Sequence, residues 1–388
     1  MRGLSSGQKA LIAVLCVSLF SCTHGHTKPP APTDTNNVAV APVPVLPTEI
    51  GTSYGLAQTL ERVGKDAFVV GRWDGTLSLF RLFKQGTGPE LLSVAVLPSK
   101  KGVEATVVLP DETIVTSHDE HSLATWTATD GKVSLQAIWN YDGKLGTATA
   151  ARPLKRGAQT ILVVGHKTGF LSFWTQAKTG LRLVGEVDGR SPKPLENSLE
   201  NKNPLWDVRG LVQASDGALV SGSEDGDLVL WQWSSQASGA GNQTWARETA
   251  RVRYSATAKR GVNGLALFED VLAVTSCAVG SEDHNLHVWK IAGGRFERLE
   301  SLDLKQDLTK PQVFSFAAVW SGEPNRLLWV STQEGLLFQI QVPKRGLAFA
   351  RVQGRVPIAN GTGAALVYAK EHKLLVAAGH DVKVLRAP

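Results

Sequence analysis

A ten-residue pattern recurs seven times in this chain, at intervals that leave few architectures open. Each copy has a strand ending in small residues, a tight turn rich in Asp and Gly, and an alternating strand closing on a large apolar residue. The first reads Gly71-Arg72-Trp73-Asp74-Gly75-Thr76-Leu77-Ser78-Leu79-Phe80. Copies follow at 117–126, 165–174, 222–231 and 280–289, with weaker ones at 331–340 and 379–385. Their closing residues Phe80, Trp126, Trp174, Trp231, Trp289, Ile340 and Leu385 are separated by 46, 48, 57, 58, 51 and 45 positions. Repeats of about 40–50 residues built from short alternating strands are the signature of radial sheet arrays. Asp-Gly between alternating segments is also a favoured two-residue hairpin turn. No segment carries a helical period.

These features predict an all-β fold, a seven-bladed β-propeller of four-stranded antiparallel sheets, in which each twisted sheet buries both faces against its neighbours. With 43% hydrophobic and 20% charged residues, the chain has ample material for that core as one domain spanning residues 37–388. The last copy ends at Pro388 straight after its third strand, whereas Val38–Leu46 is a spare strand ahead of the first complete repeat. Val45-Leu46-Pro47 matches Val96-Leu97-Pro98, which closes the first outer strand. The N-terminal strand is therefore expected to close the last blade and remove its open edge. Pro42 and Pro44 fit an outermost strand, where a missing N–H can face solvent.

Residues 1–21 read as a signal peptide. Arg2 and Lys9 form a positive n-region, Ala10–Phe20 is an uncharged apolar run, and Ser21 precedes Cys22. The apolar run is shorter than the ~20 residues of a membrane span. Leu19-Phe20-Ser21-Cys22 resembles a bacterial lipobox, with Phe at a position that usually holds a smaller residue. The resemblance implies lipidation of Cys22 and a membrane anchor, made stable by two or more acyl chains. Thr23 stands where an inner-membrane retention signal would have Asp, so the resemblance implies the outer membrane, facing periplasm or cell surface. Residues 22–36 form a Pro/Thr-rich tether; His24 and His26 lie on it as solvated polar residues. Once Cys16 is removed and Cys22 lipidated, Cys277 is the one thiol left, in the apolar run Leu272–Val279, where it reads as a buried structural residue.

Loss of Arg2 and Lys9 lowers the formal charge from +6 to +4, and Lys100-Lys101 typifies the densest basic clusters. Nucleic-acid binding has no electrostatic support in such a sequence.

Val220–Trp233 and Ala278–Ile291 most closely resemble WD repeats, and weaker likeness runs through the other copies. Asp74, Asp225 and Asp283 match the turn acids of that family, with Asp119 and Asp381 slightly displaced. Gln232, Lys290, Thr175 and Thr127 stand where the family has Asp after the closing Trp, and the Gly-His opening each repeat is missing. The Asp-His-Ser-Trp hydrogen-bond relay that the family implies is therefore incomplete here. The blades are also similar to the quinoprotein-type repeats of the propeller lipoprotein of outer-membrane assembly.

No nucleophile elbow, phosphate loop, His-Glu-x-x-His or paired-cysteine motif is present, so no cofactor or metal is expected. His118 and His166 hold the same place in their repeats, joined by His380 if the last turn is shorter; imidazoles there either converge on a metal or hydrogen-bond turn backbone. In a propeller, the loops entering the inner strands and the turns between second and third strands share one rim. Those loops carry Trp73, Glu104, Trp206, Asp207, Arg209, Asn263 and Phe314, and Trp and Arg are common interface anchors. Trp206 can instead pack under the polar insertion Arg190–Pro204 that precedes it.

The reading favoured by the sequence is a membrane-anchored, non-enzymatic scaffold that binds one or more unidentified envelope proteins. The alternative, an enzyme or small-ligand binder at the channel mouth, has only Glu104, Asp207 and Asn263 to draw on. The anchor has a direct check. Cys22→Ala should release the protein from membranes or stall its precursor on fractionation; mature, membrane-bound Cys22→Ala protein would rule the lipoprotein reading out.

Overall fold

The computed structural model describes residues 56–82, 89–118, 121–177, 180–193, 206–234, 245–255, 261–276, 284–304, 315–321, 326–342, 351–357, 365–379 and 381–387. They form seven antiparallel sheets. Blade 1 is β1 (Ala57–Val63), β2 (Ala67–Arg72), β3 (Thr76–Arg81) and β4 (Glu90–Val96). Blade 2 is β5 (Val103–Val108), β6 (Ile114–His118), β7 (Ser122–Thr129) and β8 (Lys132–Asn140). Blade 3 is β9 (Ala148–Arg156), β10 (Gln159–His166), β11 (Phe170–Ala177) and β12 (Gly180–Asp188). Blade 4 is β13 (Val208–Gln213), β14 (Leu219–Ser223), β15 (Asp227–Trp233) and β16 (Ala246–Arg253). Blade 5 is β17 (Val262–Phe268), β18 (Val271–Ser276), β19 (Leu286–Ala292) and β20 (Arg295–Leu302). Blade 6 is β21 (Ser315–Trp320), β22 (Leu327–Thr332), β23 (Leu336–Gln341) and β24 (Arg351–Pro357). Blade 7 has three strands among the described residues, β25 (Ala365–Ala369), β26 (Leu374–Ala378) and β27 (Val382–Arg386).

The first strand of each blade touches the first strand of the next, from β1 round to β25 and back to β1, so the inner strands ring a central axis. Seven hydrophobic clusters fill the seven junctions between blades. Each closing residue lies in the cluster shared with the preceding blade. Trp126 packs with Leu77 and Leu79 of blade 1, Trp174 with Val115 and Leu123 of blade 2, and Trp231 with Ile161 and Phe173 of blade 3. Trp289, Ile340 and Leu385 repeat this against blades 4, 5 and 6. Phe80 does the same against blade 7, beside Val376, Ala378 and Val384, and so closes the circle.

Two register slips recur in the four-stranded sheets. Between third and fourth strands the slip falls at the closing residue in all six, from Leu79/Phe80 to Gln339/Ile340. A second slip lies at the start of the inner strand and leaves one extra residue there: Gln58, Glu104, Thr149, Arg209 and Asn263 in blades 1 to 5. Bulges of this kind bend a strand and re-aim a side chain.

Polar contacts finish the junction of blades 7 and 1. Ala57 N–H donates to Gly379 O at 3.1 Å, Arg62 Nη1 meets Glu371 Oε2 at 2.6 Å, and His372 Nε2 lies 2.8 Å from Asp66 Oδ1. Val38–Leu46, expected to supply the fourth strand of blade 7, lies outside the described residues, as do Cys22, the tether and Cys277. The edge it is expected to cover is β27, and Val96 of neighbouring β4 is 46% exposed.

Covering such an edge would add several backbone hydrogen bonds, each about 1 kcal/mol net. Deletion of residues 37–47 should therefore lower the melting temperature sharply, and deletion of tether residues 25–34 should leave it almost unchanged. Equal melting of the two truncations would contradict closure by the N-terminal strand.

Candidate functional site

The turns between second and third strands and the loops entering the inner strands meet on one face of the ring. The backbone N–H groups of Trp73, Lys167 and Glu224 donate to the carbonyls of Leu56, Thr147 and Asp207 at 3.0, 2.8 and 2.8 Å. Turns of one blade also nest against the loop entering the next. A Cβ at Gly102 would lie 3.0 Å from Trp73 O, and one at Gly261 would lie 2.1 Å from Glu224 Cα. At Gly261 only glycine allows the backbone that close.

Inner-strand bulges place the side chains of this rim. Thr149 Oγ1 donates to Val208 O at 2.7 Å and Asn263 Nδ2 to Ser315 O at 2.7 Å, so both join their blade to the next. Asn263, a candidate recognition residue in the sequence, is thus engaged in joining blades 5 and 6. Glu104 and Arg209 instead take part in a charged group drawn from blades 2, 3 and 4. Arg209 Nε donates to Glu224 Oε1 at 2.9 Å, and its Nη2 to Asp207 Oδ2 at 3.0 Å. Burial works against the Arg209 charge, yet Glu224, Asp207 and Glu104 together hold its pKa above the ordinary value. Burial pushes the Asp207 carboxyl up; Glu224 and Glu104 add to this, and Arg209 and Lys167 oppose it. The Arg209 side chain remains 32% exposed.

Lys167 and Glu224 belong to this group although the sequence reading did not single them out. Both occupy the turn position held by Trp73 in blade 1, a correspondence that was available from the repeats. Trp73 itself is exposed, at 37%. Arg190, at the base of the insertion, lies with its guanidinium 5.4 Å from the Trp206 ring centre and 5.1 Å from that of Phe170. Asp188 holds that guanidinium through Nε at 2.9 Å and Nη2 at 2.5 Å. Trp206 therefore does pack under the start of the insertion, as a cation–π partner. Asp225 accepts the Ser191 N–H at 3.0 Å and fastens the insertion to the blade 4 turn. Phe314 and His380 lie outside the described residues.

His118 and His166 are fully buried and each is occupied by its own blade: Nε2 of His118 lies 2.7 Å from Thr116 Oγ1, and that of His166 2.7 Å from Ser172 Oγ. Nδ1 of His166 faces Gly146 O at 3.2 Å. Among the described residues, no group of three or more His, Cys, Asp and Glu side chains is arranged to hold a metal ion, and no helix is long and apolar enough to cross a membrane.

No family model matches the chain, and no curated protein matches it. Among solved structures, a chain of the "Crystal Structure of Mitotic Checkpoint Complex", a WD40 propeller, is similar. The likeness covers 96% of this chain and 99% of that one, at a TM-score of 0.60 and 15% identity. At that identity the likeness is one of fold, and a propeller fold hosts many functions.

Proposed function

We propose that this chain is a lipid-anchored, non-enzymatic propeller of the cell envelope that presents the rim around Trp73, Trp206 and Arg209 to a partner protein. The observation that carries the reading is the display of aromatic and arginine side chains on turns stiffened by backbone hydrogen bonds. Trp73 is exposed, Arg190 lies over Trp206, and Arg209 stands in a ring of carboxylates. Trp and Arg dominate interface hot spots because they bring large contact area and several donors at modest entropic cost. A stiff rim also loses little conformational freedom on binding. The lipobox-like N-terminus supports the envelope address: an apolar run behind Arg2 and Lys9 that ends in Ser21-Cys22 fits a lipoprotein signal, whereas an ordinary secretory signal cut near Ser21 or Cys22 would leave the chain exported but unanchored.

The test is site-specific photo-crosslinking in native envelopes. Photo-reactive residues at Trp73 and at Glu224 should capture the same partner. The same residues at Gly157 and Gly293, on hairpins of the opposite face with open space around them, should not. Trp73→Ala or Arg190→Ala should weaken recovery of that partner, by about 2 kcal/mol where the residue is a hot spot. Capture from the opposite face alone, or equal capture from both, would contradict the assignment of the rim.

A further inference from the structure

We propose that the buried histidines of blades 2 and 3 form an acid-sensitive latch beneath the rim, holding its turns at neutral pH and loosening them in mild acid. Both latches have the same three parts. In blade 2, Trp126 Nε1–H donates to Thr116 Oγ1 at 2.8 Å, and that hydroxyl lies 2.7 Å from His118 Nε2. In blade 3, Trp174 Nε1–H donates to Ser172 Oγ at 2.8 Å, and that hydroxyl lies 2.7 Å from His166 Nε2. The hydroxyl comes from the second strand in one blade and the third in the other, so the same relay is built from two different registers.

For His166 the partners select the neutral form: Nδ1 faces Gly146 O, which can only accept, so Nδ1 carries the proton and Nε2 accepts from the Ser172 hydroxyl, which itself accepts from the Trp174 indole. In His118 the same hydroxyl–indole pair faces Nε2. A second proton would turn Nε2 into a donor, strand the hydroxyl proton and place a charge in a buried site.

Among the described residues, no carboxylate faces either ring to offset that charge. His166 meets the Tyr141 ring edge-on at 5.2 Å, and His121, from the turn between β6 and β7, disfavours its charge further. His118 is flanked by Thr116 and the Lys101 backbone; Asp119 and Glu120, its neighbours in sequence, lie outside the described residues. Burial, the main cause, pushes both histidines down to about 4, from an ordinary value of 6.5. In each case the backbone contact opposes the shift, and for His166 the charge of His121 adds to it.

The sign follows. Between these two values the opened segment binds a proton that the closed one refuses, so the closed state is favoured fully above pH 6.5 and loses that advantage as pH falls toward 4. His166 precedes Lys167, and His118 ends the strand that runs into the blade 2 turn, so the segments that loosen carry the rim. The effect on partner binding rests on the function proposed above; the latch does not.

Hydrogen exchange of the full-length protein at pH 7 and pH 5, corrected for intrinsic rates, tests the latch without a partner. Segments 114–126 and 159–177 should lose protection about 20-fold per histidine relative to segment 327–341 of blade 6, which has no histidine. In His118→Gln/His166→Gln that difference between blades should vanish, whatever the overall protection. Equal pH responses of all three segments in the native protein, or an unchanged difference in the double variant, would overturn the latch.

Discussion

Each blade depends on the large apolar side chain that closes its third strand and packs back against the blade before it. A sheet of four short strands has two apolar faces and cannot bury either alone. The seven closing residues solve this in series, and because Phe80 packs onto blade 7 as Trp126 packs onto blade 1, the series has no end. Truncating a buried aromatic of this kind generally costs about 3–5 kcal/mol. The slip between third and fourth strands falls at the same residue, which lets a bulky ring enter the junction while the outer strand bends around it.

The rim depends on that packing at one remove. With the blades locked, four of the extra residues at the inner-strand starts tie neighbouring elements together. Thr149 and Asn263 fasten their blades to the next. Arg209 bonds Asp207 and Glu224, and Glu104 adds its charge to that group from blade 2. Charges so close together in a partly buried setting repay their desolvation only when several hydrogen bonds hold them. Arg209 has such bonds to two carboxylates, which makes the group a rigid feature rather than a loose scatter of surface charge.

The architecture was legible in the sequence because its causes are local. Alternation with period two, an Asp-Gly or Glu-Asp-Gly turn and a closing Trp lie within ten residues of one another, as at Gly222–Trp231. What was not legible depends on register or on neighbours. The bulge at Arg209 adds a single residue and leaves the hydrophobic pattern of β13 intact. The partnership of Arg209 with Glu224 joins residues 15 apart in one blade, while its attraction to Glu104 reaches from blade 4 to blade 2. The histidines were visible as a repeated position, but their hydroxyl partners, Thr116 two residues before His118 and Ser172 six after His166, obey no common spacing. The local relay of histidine, hydroxyl and tryptophan could therefore not be foreseen from spacing.

A partner that meets the rim and no other face of the ring, as proposed above, would shield the rim's side chains in the envelope. Hydroxyl-radical footprinting compares the protein in intact envelopes with the same protein purified in detergent, and needs no knowledge of the partner. Selective protection of Trp73, Trp206 and Phe170 is expected in the envelope, with Trp233 and Phe296 away from the rim reacting alike in both. Protection of Trp233 or Phe296 alone, or identical reactivity everywhere, would contradict it.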